Sequence, residues 1–79
     1  MATLPADEDY AKAVLTIFRD KNVRAGQSLR ASHVSVEFLA RNMGRAADYE
    51  AALRYSMDRG WLTLELDRIR LTKPGFAEL

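Results

Sequence analysis

The sequence predicts a small α+β domain in which three helices come first and a β-hairpin follows. From Asp7 to Arg59 apolar residues recur at helical spacing in three blocks, broken around Asn22–Ser32 and again at Gly44. From Trp61 to Thr72 the period drops to two: Leu62, Leu64 and Leu66 alternate with Trp61, Thr63 and Glu65, then Ile69 and Leu71 with Arg68, Arg70 and Thr72. The length of 79 residues, with 48% apolar and 29% charged residues, is that of one folded domain and not of a disordered tail. The expected division is a flexible N-terminus over 1–6 and a single domain over 7–79.

Each element has its own signals. Pro5 suits a helix start, and Asp7, Glu8 and Asp9 complement the positive end of the helix dipole. Tyr10, Val14, Ile17 and Phe18 then form one stripe, and Asn22 suits a left-handed cap, so helix 1 is expected over Asp7–Lys21. Gln27–Arg30 has room for a short extended piece, and Ser32 or Ser35 suits a helix cap. Helix 2 is expected over Ser32–Met43, with Val36, Leu39, Ala40 and Met43 inward and Gly44 as its stop. Helix 3 is expected over Arg45–Arg59, with Tyr49, Leu53, Ser56 and Met57 inward, Leu53 at its buried centre, and Gly60 as a left-handed stop. A two-residue turn at Asp67-Arg68 pairs Leu66 with Ile69 and Glu65 with Arg70. A four-residue loop over Glu65–Arg68 keeps the same faces and moves Leu66 to the tip. Thr72 and Pro74 begin a final short turn carrying Phe76 and Leu79.

Composition removes several kinds of chemistry. There is no cysteine, and there is one histidine, so cysteine-ligated and multi-histidine metal sites are ruled out. No glycine-rich phosphate loop is present, and no base stands ready beside a nucleophile, so neither an enzyme, a cofactor nor a small-molecule substrate is expected. No apolar run approaches a membrane span, and Met1–Asp9 lacks the blocks of a signal peptide, so a cytoplasmic protein is expected. The formal net charge is only +1, but residues 23–47 carry Arg24, Arg30, Arg41 and Arg45 against Glu37 alone. Nine of the twelve basic residues are arginine, the residue suited to planar contacts with carboxylate and phosphate.

Three stretches carry a resemblance. Val34-Ser35 with Leu39-Ala40 and Met43-Gly44 resembles the first helix and turn of a helix-turn-helix. Ala52-Leu53 with Arg59-Gly60-Trp61-Leu62 resembles the end of a recognition helix entering a wing. Leu71-Thr72-Lys73-Pro74-Gly75 resembles the LT-x-x-G that closes the wing in many bacterial proteins. Over residues 8–79 the chain resembles a winged helix-turn-helix domain. The resemblance implies a small bacterial DNA-binding or transcription-regulator-like protein. The alternative is a winged helix that binds protein and not DNA.

The candidate phosphate contacts are Arg41, Arg45, Arg54, Arg68 and Arg70. Arg45 would meet an anion at the start of helix 3, and Arg68 and Arg70 would edge the wing. The first turn of helix 3 reads Arg45-Ala46-Ala47-Asp48-Tyr49-Glu50, which is poor in the donors that read base edges, so weak duplex binding is expected. For a protein partner or a homodimer the candidates are Trp61, Leu66 and Ile69. Trp61 falls on the outward side of its strand or packs over the end of helix 3. Leu66 and Ile69 form an exposed apolar hairpin end, or the hairpin curls back over them.

Overall fold

The computed structural model describes residues 6–79, so the expected flexible terminus lies outside the described residues except for Ala6. The elements run α1 (Asp7–Asp20), β1 (Ser28–Arg30), α2 (Ala31–Ala40), α3 (Ala46–Asp58), β2 (Leu62–Glu65), β3 (Arg68–Leu71) and α4 (Lys73–Ala77). The α+β class holds, with two additions. The extended piece before α2 is a true third strand, and the final turn is a five-residue helix. All pairings are antiparallel in the order β1-β3-β2, so β3 is central.

Helix starts follow from local chemistry. Neither Ala6 nor Arg45 has a side chain that can accept a bond from the first helical turn. Three residues on, however, a carboxylate reaches back to each backbone N–H: Asp9 to Ala6 at 3.0 Å and Asp48 to Arg45 at 2.9 Å. Asn22 takes the expected left-handed conformation after α1. The end of α2 differs from expectation. The helix stops at Ala40, short of the stop expected at Gly44, and Asn42, at φ 55°, makes a left-handed turn. Gly60, at φ 75°, ends α3 as its sequence position requires.

The helices cover one face of the sheet. Leu62, Ile69 and Leu71 point inward to meet Val14, Leu15, Ile17 and Phe18 of α1 and Val34 and Phe38 of α2 in one core. Two helical stripes are rotated from expectation. In α2 the buried pair is Val34 and Phe38, while Val36 is 65% and Leu39 42% exposed. Phe38 decides this rotation, because its ring packs between those of Tyr10 and Tyr49 at centroid distances of 6.5 and 5.5 Å. In α3 the buried line is Tyr49, Ala52 and Ser56; Leu53 is only half-buried and Met57 faces outward. α1 packs along α3, and Ala11, Ala52 and Ser56 are all fully buried. Small side chains let helix axes approach closely, which favours this line over the bulkier Leu53.

The hairpin takes the second of the two expected registers. Leu64 lies opposite Ile69 and Leu62 opposite Leu71, with Leu66-Asp67 as the two loop residues. The turn expected at Asp67-Arg68 does not form, and Leu66 does not pair with Ile69. The two registers differ by two residues, so the inward faces are the same in both. Behind the hairpin, Thr72 ties the strand end to α4. Its hydroxyl accepts from the Gly75 N–H at 3.1 Å and shares its one proton between the Gly60 and Trp61 carbonyls. Gly75 lies so close to Trp61 that a methyl group there would run into the Trp61 carbonyl.

Two changes test this packing. The Ser56 hydroxyl is fully buried with no hydrogen-bond partner. Removing an unsatisfied buried group relieves its desolvation cost, so Ser56→Ala should raise stability by about 1 kcal/mol. Gly75→Ala should lower it by about 1–3 kcal/mol, the usual range for overpacking. Urea denaturation of both variants beside the parent measures each. A destabilised Ser56→Ala would mean that the hydroxyl has a partner.

Candidate functional site

The outer face of the sheet, turned away from the helices, carries the strongest charge feature. The inward alternation of Ile69 and Leu71 on β3 places Arg68 and Arg70 on the outside. Across β3 from β1, Arg30 stands directly opposite Arg68 and Ser28 opposite Arg70. On the other side, Glu65 stands opposite Arg68 and Thr63 opposite Arg70. Directly opposed like charges oppose pairing, so Arg30 beside Arg68 is an unfavourable cross-strand contact that the fold accepts.

Hydrogen bonds organise the cluster. Arg68 donates from Nε to the Ser28 hydroxyl at 2.9 Å. Arg70 donates from Nη1 to the Gly26 carbonyl at 2.6 Å, and its Nε lies 3.3 Å from Glu65 Oε1. The single carboxylate therefore bonds diagonally with Arg70, leaving Arg30 and Arg68 without an acidic partner among the described residues. The Glu65–Arg70 pair expected from the sequence thus forms, although the two are not directly opposite. Ser28, Glu65, Leu66, Asp67, Arg68 and Arg70 line a small hollow of about 150 Å³ at the tip of the hairpin.

A chain of hydrogen bonds joins this tip to α3. The Ala31 N–H donates to the Asp67 carbonyl at 2.6 Å, and the Tyr49 hydroxyl donates to the Ala31 carbonyl at 3.2 Å. Burial pushes the Tyr49 hydroxyl above its ordinary value of 10.0, keeping it protonated and able to donate. The start of α3, the start of α2 and the hairpin turn are thereby held together.

The remaining candidates divide by their surroundings. Arg41 is committed elsewhere: it donates to Asp20 at 2.7 Å and to Glu37 at 2.9 Å, bridging the end of α1 to α2. It is a structural bridge and not a free phosphate contact. Arg45 is 86% exposed at the side chain but lies 3.3 Å from Asp48. Arg54 is exposed on the outer face of α3, among Ala47, Glu50 and Asp58. This face is close to neutral and presents no neutral amide or hydroxyl side chain. Trp61 is 8% exposed, its ring edge-on to Tyr55 at 5.8 Å, so it packs over the end of α3 and offers no partner surface. Ile69 is 1% exposed and belongs to the core, because β1 and the helices cover the central strand. Leu66 alone of the three apolar candidates is free, at 99% exposure.

Arg30 was not among the sequence candidates. Ser28-Leu29-Arg30 repeats the out-in-out pattern of Arg68-Ile69-Arg70, but three residues are too few to reveal a strand until their partner is known. Among the described residues no group of three or more acidic, histidine or cysteine side chains is placed to hold a metal ion. The chain matches no family model, and no curated protein or solved structure shows significant similarity to it.

The carboxylates at the helix boundaries set an acid limit. The Arg45 backbone N–H, followed by its guanidinium, holds Asp48 below its ordinary value of 3.8, and the Arg41 hydrogen bond does the same for Asp20. A carboxyl group with a lowered value in the folded state stabilises the fold above its unfolded value. That contribution is lost as pH falls through the folded value. Stability should therefore be flat down to about pH 5 and fall progressively towards about pH 2. Asp48→Asn and Asp20→Asn should each make the fall shallower, as read from urea midpoints at a series of pH values. An unchanged slope in both would show that neither carboxylate contributes.

Proposed function

We propose that this chain is a winged helix-turn-helix domain that binds duplex DNA weakly, through phosphate contacts and without reading sequence, as a small transcription-regulator-like protein. The element order α1-β1-α2-α3-β2-β3 and the sheet order β1-β3-β2 support the fold reading, with the β2–β3 hairpin as the wing. The observation that carries the function is the directly opposed pair Arg30 and Arg68 beside the wing tip, with Arg70 on the same face and one carboxylate among them. A phosphate on this face would offset the repulsion between the two cross-strand arginines with charge-assisted hydrogen bonds.

The outer face of α3 is unsuited to reading base edges. The outer face of α3 offers Ala46, Ala47, Glu50 and Arg54. Alanines carry no donor, and a carboxylate repels the backbone it would have to pass. Contacts of the remaining kind fix position and carry no sequence information.

A second reading, a protein-interaction module, is favoured by a different observation: Val36 and Leu39 of α2 lie exposed on an element that holds no free cation. Apolar side chains left in water on one helix suit a protein partner better than DNA.

Salt separates the readings. Three phosphate contacts by Arg30, Arg68 and Arg70 give a slope of log K against log salt of about −2.7, at about 0.9 for each. Dissociation constants should lie in the non-specific range of roughly 10⁻⁴–10⁻⁶ M. Fluorescence anisotropy with a random-sequence duplex at several salt concentrations measures both. Arg30→Glu with Arg68→Glu should abolish binding to every duplex alike, while Arg54→Glu should weaken it less. Absence of salt-dependent binding by the parent at low ionic strength would overturn the DNA reading and leave the interaction module in its place.

A further inference from the structure

α2 begins differently from the two longer helices. In α1 and α3 a carboxylate in the first turn accepts from the backbone N–H of the residue before the helix. α2 has no such group: the residue before it is Arg30, no side chain caps it, and its first turn holds no acid. Arg30 is therefore a cation at the positive end of a helix dipole, where positive charge is disfavoured. It also stands directly opposite Arg68, and the carboxylate on the other side of Arg68, Glu65, bonds to Arg70 instead. Its sequence neighbours supply nothing that holds Arg30 in this place.

What holds it comes from further along the chain. Ala31, the next residue, is gripped at both of its backbone polar groups. Its N–H donates to the Asp67 carbonyl at 2.6 Å, tying it to the hairpin turn. Its carbonyl accepts from the Tyr49 hydroxyl at 3.2 Å, tying it to α3. A carbonyl has two lone pairs, so this bond adds to the one that the helix itself makes there.

The Tyr49 hydroxyl is suited to be a fixed point. The residue is buried, and its ring packs on Phe38 at a centroid distance of 5.5 Å. The ring cannot swing without opening the core, so the hydroxyl is held where it meets Ala31. Burial raises its ionisation above the ordinary value of 10.0, so it stays a donor at neutral pH.

We propose that Tyr49 is the positioning residue of the cationic face: its hydroxyl, through the Ala31 carbonyl, keeps Arg30 opposite Arg68 against their repulsion, so that both are presented to one phosphate backbone. The inference rests on the DNA reading above for what the arginines do, and adds the group that keeps them together. Tyr49 acts through Arg30 and meets no phosphate itself, since its hydroxyl is spent on Ala31 and its ring lies in the core.

Tyr49→Phe removes the hydroxyl and leaves the ring, so the circular dichroism spectrum should be unchanged. Two readouts separate positioning from a merely structural role. By hydrogen exchange, the Ala31 amide should exchange about fivefold faster than in the parent, the worth of one ordinary hydrogen bond. The Trp61 and Thr72 amides at the base of the hairpin should change less. By fluorescence anisotropy with a random-sequence duplex, the slope of log K against log salt should become shallower, from about −2.7 to about −1.8, as one of three phosphate contacts is lost. A loss of stability alone leaves that slope unmoved while the protein stays folded. In an Arg30→Ala background, which starts at about −1.8, Tyr49→Phe should change nothing further, because it acts through Arg30. A parent that binds duplex with a slope unmoved by Tyr49→Phe overturns this inference and leaves the DNA reading standing. So does an Ala31 amide whose exchange is unchanged, or an effect on binding as large in Arg30→Ala as in the parent. A parent that binds no duplex overturns the DNA reading, and the positioning role falls with it.

Discussion

The central strand β3 is the constraint on which the rest of the molecule depends. It alone has a neighbour on each side, and its four residues alternate between arginine and a large apolar side chain. That alternation does two things together. Ile69 and Leu71 give the helices a surface to pack on, and Arg68 and Arg70 must then lie outside. The three residues of β1 are too short to hold a conformation alone, and they become a strand by pairing with β3. In doing so they bring Arg30 opposite Arg68. The outward placement of Arg68 and Arg70 is therefore a consequence of building the core on an arginine-alternating strand.

A second junction fixes where that strand points. Trp61 leaves α3 with its N–H donating to the Ser56 carbonyl at 2.8 Å, and its own carbonyl accepts from the Thr72 N–H at 3.1 Å and from the Thr72 hydroxyl at 2.8 Å. One carbonyl thus receives two donors at the base of the hairpin, and Gly75 closes over it because no larger residue fits. Charge-assisted hydrogen bonds roughly double the strength of neutral ones. None is used here; neutral bonds in a well-packed corner suffice. The ionic bridge is at the opposite end of the helical layer, where Arg41 joins α1 to α2. The two devices anchor the helices from separate ends and leave the hairpin tip unsupported by either.

The parts of the fold that were legible in the sequence are those specified by local rules. Acidic first turns, Asn22, Gly60 and the change of period after Trp61 each act over a few residues, and the structure follows them. The parts that were not legible depend on a partner distant in sequence. β1 needs β3, which lies about forty residues later. The rotation of α2 needs Phe38 to find the rings of Tyr10 and Tyr49, and that of α3 needs the small faces of Ala52 and Ser56 to meet α1. Gly44 had the composition of a helix stop, but Asn42 reached the left-handed turn first. The candidate site shows the same division. Arg68 and Arg70 were visible as alternating residues on a hairpin. Arg30 and the diversion of Arg41 to Asp20 and Glu37 were not, since each is defined by what stands across from it.

Two places in this molecule break a local rule without any return to the fold. Arg30 opposite Arg68 raises the energy of a strand pairing, and Leu66 strains a turn that asparagine would relax. Apart from the buried Ser56 hydroxyl, the rules agree elsewhere: capping carboxylates, left-handed Asn and Gly, and inward alternation all favour the same structure. The two exceptions named are exposed, where an outside partner can reach them. The two points also call for different partners. Cross-strand arginines are relieved by an anion, and a bare leucine is relieved by an apolar surface. The first belongs to the outer face of the sheet and the second to the turn, so two exposed features of different chemistry stand side by side on one hairpin.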